Sequence, residues 1–375
     1  MSGIFLNLIS AGESAAPIKY ELWSWGRNHF GQLGLNDTDS RSSPVQVGAL
    51  NTWDILPNAQ YQNGGSITSD GLLWTWGYNQ RGSVGNDTTI RPSSPVQIGA
   101  LKTWTKLGGG HASGSFVGIK SDGTMWTWGS GYSGRLGHGN QTHYSSPKQV
   151  GALTTWAYAT FGGSMCIAVK TNGTLWSWGA GPGGRLGHNN TTYYSSPVQV
   201  GGLTNWARAS SSGNFTIAVK TDGTLWGWGR NDYGQLGQDS TSGYVSSPIQ
   251  IGGLTSWSKS MTSLRNCSAL KTNGTLWSWG QGTYGGLGLG NTITYSSPKQ
   301  VGALTTWSQI AAGYYHCRAA ITTGGTLFTW GRNNYGQLGN GNTTSRSSPV
   351  QVGSLATWES VCGLRHSFIA LKDPV

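Results

Sequence analysis

Charge is what this sequence has least of. Of its 375 residues, 10% are Asp, Glu, Lys or Arg, against roughly a quarter in ordinary globular proteins. Acids (13) are scarcer than bases (24), so the net charge of +11 reflects missing acids rather than a basic run. The bases are scattered along the chain, whereas a nucleic-acid binder gathers them on one face or in a tail; specific nucleic-acid binding is not expected. Cysteine is rare too. Cys166, Cys267, Cys317 and Cys362 form no CxxC pair, which argues against a disulfide framework or a thiolate metal site and for small buried residues. No apolar run approaches the ~20 residues of a membrane-spanning helix. The acids show no paired spacing of the kind acid–base catalysis uses. Asp37 and Asp39 beside Asn36 are reminiscent of a calcium loop, yet the downstream bidentate glutamate is absent. No enzyme activity, cofactor or metal is expected.

In place of charge there are 61 Gly and 20 Trp, with abundant Ser, Thr and Asn. They are distributed periodically. A Trp-Gly step recurs at Gly26, Gly77, Gly129, Gly179, Gly229, Gly280 and Gly331, at spacings of 51, 52, 50, 50, 51 and 51 residues. A period of this size marks a chain built from copies of one small unit.

One unit is readable from Gly162 to Trp206. An apolar run, Cys166 to Lys170, meets LWSWG (Leu175 to Gly179) across Asn172-Gly173, the pattern of a hairpin with a type I′ turn. Trp176 and Trp178 are two apart and share one side of the sheet. Their regular placement in strands favours packing between neighbouring sheets over carbohydrate stacking. Eight residues after each Trp-Gly glycine comes another glycine, preceded by Leu (Val84 once). This reads as a compact turn whose Leu plugs the core. No Lys-Ser/Thr or helix follows that loop, so it is not a phosphate cradle. Ser-Ser-Pro then opens a third strand, with proline at the first position where no ladder N–H is required. A Trp nine residues past each proline opens the fourth.

Four short strands per unit and seven units imply an all-β, seven-bladed β-propeller. The chain enters mid-unit at Lys19-Tyr20-Glu21-Leu22-Trp23 and leaves mid-unit at His366 to Lys372. N- and C-terminal strands are therefore expected to share one blade and close the ring. Residues 18–375 are assigned to the propeller and residues 1–17 to a docking segment. MSGIFLNLISAGESAAP has no basic n-region, and its apolar stretch is broken by Asn7, so it makes a poor signal peptide. Ile4, Phe5, Leu6, Leu8 and Ile9 are its candidate anchor residues.

The WG-RN-x-x-GQLG motif, the xDGT hairpin before it and Gly363-Leu364-Arg365-His366-Ser367 resemble the regulator of chromosome condensation repeat family, over about residues 19–373. The resemblance implies a seven-bladed propeller closed by both termini. For the founding member it implies nucleotide exchange on a small GTPase, chromatin binding and a nuclear location. The family's exchange activity uses an inserted β-wedge, and here repeat lengths differ by no more than two residues. A basic N-terminal tail is also missing. The family's Gly-x-x-His step survives as Gly313 to His316 and Gly363 to His366, read as structural hydrogen-bonders. No catalytic residue carries over.

The segments that vary are the loops between Trp-Gly and Ser-Ser-Pro, which all emerge on one propeller face. Tyr and Arg, which anchor interfaces, are frequent there. The candidate binding face comprises Arg27, His29, Phe30, Tyr78, Arg81, Tyr132, Arg135, Tyr144, Tyr194, Arg230, Tyr233, Tyr284, Arg332 and Tyr335. The apolar lead-in, neutral polar surface and near-identical repeats point to a non-enzymatic virion appendage, such as a bacteriophage tail, fibre or capsid protein. On this reading residues 1–16 join it to a larger assembly, and the loop face meets a host-surface protein or glycan. The alternatives are a regulator of a small GTPase or chromatin, cytoplasmic or nuclear, and a lectin-like glycan binder.

Overall fold

The computed structural model describes residues 20–374 except 59–60, 111–113, 242 and 315. The docking segment, with Ile4, Phe5, Leu6, Leu8 and Ile9, lies outside the described residues. The rest is a ring of seven four-stranded antiparallel sheets.

Blade four shows the pattern. Its strands are Trp156–Gly162, Met165–Lys170, Leu175–Gly179 and Tyr194–Gln199, paired in that order. The first is the inner strand, since the first strands of neighbouring blades touch one another around the axis. Blades two, three, five, six and seven repeat this over residues 53–97, 104–149, 206–250, 257–300 and 307–351. Blade one is composite. Trp358–Gly363 and Ser367–Lys372 come from the end of the chain, Glu21–Gly26 and Arg41–Gln46 from its start. Six residue pairs join the two halves, from Glu21 opposite Lys372 to Gly26 opposite Ser367. The ring closes as the mid-unit ends require.

Three tryptophans per blade explain the motif spacing. The inner-strand Trp156 meets Trp176 and Trp178 at ring-centroid distances of 6.0 and 6.3 Å. Trp178 is fully buried against Val117, Ile119, Met125 and Leu136 of blade three, and its Nε1 donates to the Arg135 carbonyl at 2.8 Å. The same bond runs from Trp76 to Gln32, Trp128 to Ser83, Trp228 to Arg185 and Trp279 to Gln235. Trp25 to Gln337 carries it across the closure. The Leu after each accepting carbonyl (Val84 in blade two) is buried to within 1%. The glycine after that Leu is obligatory: at Gly137 (φ +84°) a Cβ would lie 2.8 Å from the Trp178 indole nitrogen.

The first tryptophan of the pair plays a different part. Trp176 is half-buried, with the Lys170 ammonium 3.7 Å from its ring centroid. Its indole donates to Thr174 Oγ1, which itself donates to Asn172 Oδ1. The Asx-Gly-Thr-x-Trp sequence is thus one hydrogen-bonded chain, repeated from Asp122, Asp222 and Asn273.

Two local expectations are corrected. The hairpin turn is not type I′: Gly173 alone has φ > 0, and Gly173 N donates to Lys170 O while Lys170 N donates to Thr174 O. This is a three-residue loop with a glycine bulge, selected because the Asx side chain bonds two residues ahead. In six blades proline is not at the strand start either; in blade two Pro95 directly precedes Val96–Gln97. Pro44 is the fourth residue of Arg41–Gln46. The outermost strand has a free edge, so a missing N–H costs nothing there.

Candidate interaction face

The antiparallel blades give the ring two distinct ends. Hairpin turns and inter-blade crossovers occupy one; the loops after Trp-Gly and the connections between inner and second strands occupy the other. All described lysines sit at or near the turn end, whereas eleven of the thirteen arginines sit at the loop end; Arg208 and Arg318 are the exceptions.

At the loop end a guanidinium crosses every blade boundary. Arg27 of blade one lies 5.0 Å from the Tyr335 ring centroid of blade seven, with His29 edge-on at 5.9 Å. Phe30 meets Tyr78 of blade two at 5.4 Å, and Arg91 is 5.2 Å from both rings. Arg365 lies 5.0 Å from Tyr61 and donates to its hydroxyl at 2.8 Å. Arg81 reaches Tyr132 of blade three at 4.5 Å, Arg265 of blade six reaches Tyr233 of blade five at 4.8 Å, and Arg332 of blade seven reaches Tyr284 of blade six at 5.0 Å. At the two remaining boundaries Arg135 donates to Gly163 O and Arg185 to Gly213 O.

Most of the sequence-derived candidates therefore meet as arginine–aromatic couples. Four do not. Arg135 is 6% exposed, and burial lowers its pKa to about 10; it braces a boundary instead of facing solvent. Tyr144 and Tyr194 begin outermost strands, edge-on to His138 and His188, and pack on the cluster between blades three and four. Both directly precede Ser-Ser-Pro, where the loop has already turned into strand. Arg230 is neutralised by an ion pair with Asp232. Sequence reasoning missed Tyr61, Arg91, Arg265 and Arg365. Three lie in the short inner-to-second-strand connections, which share this face; a lone Arg or Tyr at those positions was the available signal.

The electrostatics are one-sided. Arg27, Arg81, Arg91, Arg265 and Arg332 take part in none of the ion pairs among the described residues, which join Asp37, Asp70, Asp232 and Glu21 to other bases. His316 and His366 are buried among arginines. Burial first, then the Arg charges, holds their pKa values at about 4 and about 3, so both rings are neutral at pH 7. His366 stacks obliquely on Tyr335 at 5.2 Å and His316 on Tyr284 at 6.0 Å. The four cysteines are free and buried, and burial pushes the Cys317 thiol up to about 12. Among the described residues no group of three His, Cys, Asp or Glu could hold a metal ion, and no helix is long and apolar enough to cross a membrane.

Fold and face together define a seven-bladed propeller with an arginine–aromatic end. The chain belongs to the Regulator of chromosome condensation (RCC1) repeat family, which it matches over residues 21–55, 70–114, 122–169, 172–219, 222–262, 273–320 and 324–370. It is 32% identical over 162 residues to the ultraviolet-B receptor UVR8 of Arabidopsis thaliana, covering 41% of this chain and 36% of that one. It is 30% identical over 147 residues to the E3 ubiquitin-protein ligase HERC2 of Mus musculus, covering 38% of this chain and 3% of that one. The chain thus aligns with only a minor part of these curated relatives. Its fold is that of human WBSCR16 (TM-score 0.84, 20% identity, 94% of this chain and 99% of that one). It is also that of Saccharomyces cerevisiae Prp20p (TM-score 0.82, 17% identity, 96% and 93%), a protein studied for its binding to Gsp1p and histones.

These findings overturn the expectation of a virion appendage and of a virion location. The relatives are plant, mammalian and yeast proteins. Low charge and polar repeats in this chain carry no information about location. A host-surface receptor or glycan loses its basis with that reading.

Proposed function

We propose that this chain is a non-enzymatic, regulatory propeller that binds a protein partner through its loop end, and that the partner presents an acidic surface. The observation that carries this is the set of five stacked arginines without carboxylate partners. An Arg held flat on Tyr or Phe has already lost much of its rotamer freedom, so less is lost on binding. Tyr and Arg together are the residue types that dominate interface energies. The reading agrees with the regulatory alternative drawn from the family resemblance, and Prp20p gives a precedent for protein binding by this fold. Of its two partner classes, a small GTPase offers the better complement: a basic histone would be repelled by the arginines and by a net charge of +11.

The test is a binding and nucleotide-release assay with small GTPases, comparing the wild type with a R27E/R91E/R332E variant and a turn-end K102E/K170E variant. Saturable binding that only the arginine variant loses supports the proposal. Binding that the lysine variant loses equally, or stimulated release that survives the triple substitution, refutes the assignment of the face.

A further inference from the structure

The axis of the ring holds a cavity of about 260 Å³ walled by the inner strands. Those strands are laced together blade to blade. Lys106 Nζ donates to Ala157 O at 2.7 Å, Lys259 Nζ to Ser308 O at 2.9 Å and Tyr158 Oη to Ala209 O at 2.9 Å. Arg208 occupies the same register as Lys106 and Lys259, two residues after the inner-strand tryptophan. It departs from the pattern, its guanidinium making no hydrogen bond or ion pair among the described residues. Arg208 and Lys259 line the cavity from the inner strands of adjacent blades, and the Arg208 charge, after burial, holds the Lys259 ammonium below its usual range. The Asp54 carboxylate lines the cavity from blade two, across the ring. Two hydroxyls of the lining, Ser260 Oγ and Ser360 Oγ, are shielded from solvent yet have no hydrogen-bond partner.

Two shielded hydroxyls without partners leave donors free for a guest in the cavity. A cationic pair beside them sets the guest's sign, because a guanidinium fork and a neighbouring ammonium match two oxygens of one oxyanion. We infer that the axial cavity is a binding site for a small oxyanion of the carboxylate or phosphate class, held by Arg208 and Lys259 with the Ser260 hydroxyl donating. Asp54 opposes a second negative group and so selects against polyanions. The two cations stand two residues in from the turn end of their strands, and none of the loop-face arginines lines the cavity.

The probe is inorganic phosphate, followed by calorimetry and by 31P line broadening on the full chain. Saturable binding with one site per chain is expected. R208Q should weaken it at least tenfold, K259Q several-fold, and D54N should tighten it a few-fold. Arg208 is exposed, so the fold survives its replacement, as near-ultraviolet circular dichroism will verify; K259Q is an independent second variant. R346Q removes an equal charge from an exposed position on an outermost strand and should leave the affinity unchanged. The inference is overturned if the wild type shows no saturable phosphate binding, if R208Q/K259Q binds as the wild type does, or if R346Q weakens binding as much as R208Q.

Discussion

Replacing Glu21 and Lys372 by cysteine is expected to lock the ring with a disulfide. These residues oppose each other where the two ends of the chain pair, and their side chains meet at 3.3 Å, so both point to one side of the sheet. Directly opposed Cα atoms in an antiparallel pair are about 4.5–5.5 Å apart, within the range a disulfide spans. The residues are 351 positions apart in sequence. Chain-entropy arithmetic for a loop that long gives a stabilisation of at most about 6 kcal/mol. At roughly 2.1 cal/mol/K of unfolding entropy per residue, a chain of 375 residues changes its Tm by about 1.3 °C per kcal/mol, so the full effect is about 7 °C. The assay is thermal unfolding of the E21C/K372C variant, oxidised against reduced, with cross-linking read on a non-reducing gel. The oxidised–reduced comparison cancels the loss of the Glu21–Lys372 ion pair. The native cysteines are buried and will not compete. An uncross-linked product, or equal Tm values in the two redox states, would refute the composite blade and the closed ring with it.

Trp178→Phe removes the donor to the Arg135 carbonyl inside a fully buried contact; a loss of about 1–3 kcal/mol is expected in urea unfolding, and a neutral effect would show that the bond is not made. Gly173→Ala is expected to destabilise by more than about 1 kcal/mol, since φ is +75° and a Cβ would lie 2.1 Å from the Thr204 carbonyl oxygen. Gly201, with φ +59° and nothing within 4 Å, should accept Asn with a much smaller change in denaturation midpoint. His316 and His366 titrate near 4 and 3 in the folded chain, below the ordinary 6.5, so the unfolded state takes up protons first. Their contribution to stability is complete above pH 6.5 and shrinks as pH falls, by about 2 kcal/mol per histidine at pH 5. Urea midpoints at pH 7.5, 6 and 5 will show it, and H316Q/H366Q should flatten the profile.

The blade count, the closure and the Leu plug were legible because each is enforced by packing that repeats at fixed spacing: Trp178, Leu186 and their equivalents. The turn type was not legible from Asx-Gly alone. Its Asp or Asn bonds forward to Thr, and nothing in the dipeptide distinguishes that from two left-handed residues. The loop face was half legible. Arg27, Phe30, Tyr78, Arg81 and Tyr335 lie in the long variable loops, but Tyr61, Arg265 and Arg365 reach the same surface from connections only a few residues long. Arg135 belongs to the scaffold because burial, not residue type, decides its role. The biological setting was least legible: polar composition constrains solubility and leaves location open.

Blade one also sets a timetable. During synthesis at roughly 5–20 residues per second, about 17–70 s separate the emergence of Glu21–Gly26 from that of Ser367–Lys372. Throughout that interval the third strand of blade one waits with one sheet edge unpaired and Trp25 without its stacked Phe368. The nascent polypeptide is therefore most dependent on chaperones at its beginning, and the last strand made is the one that ends that dependence.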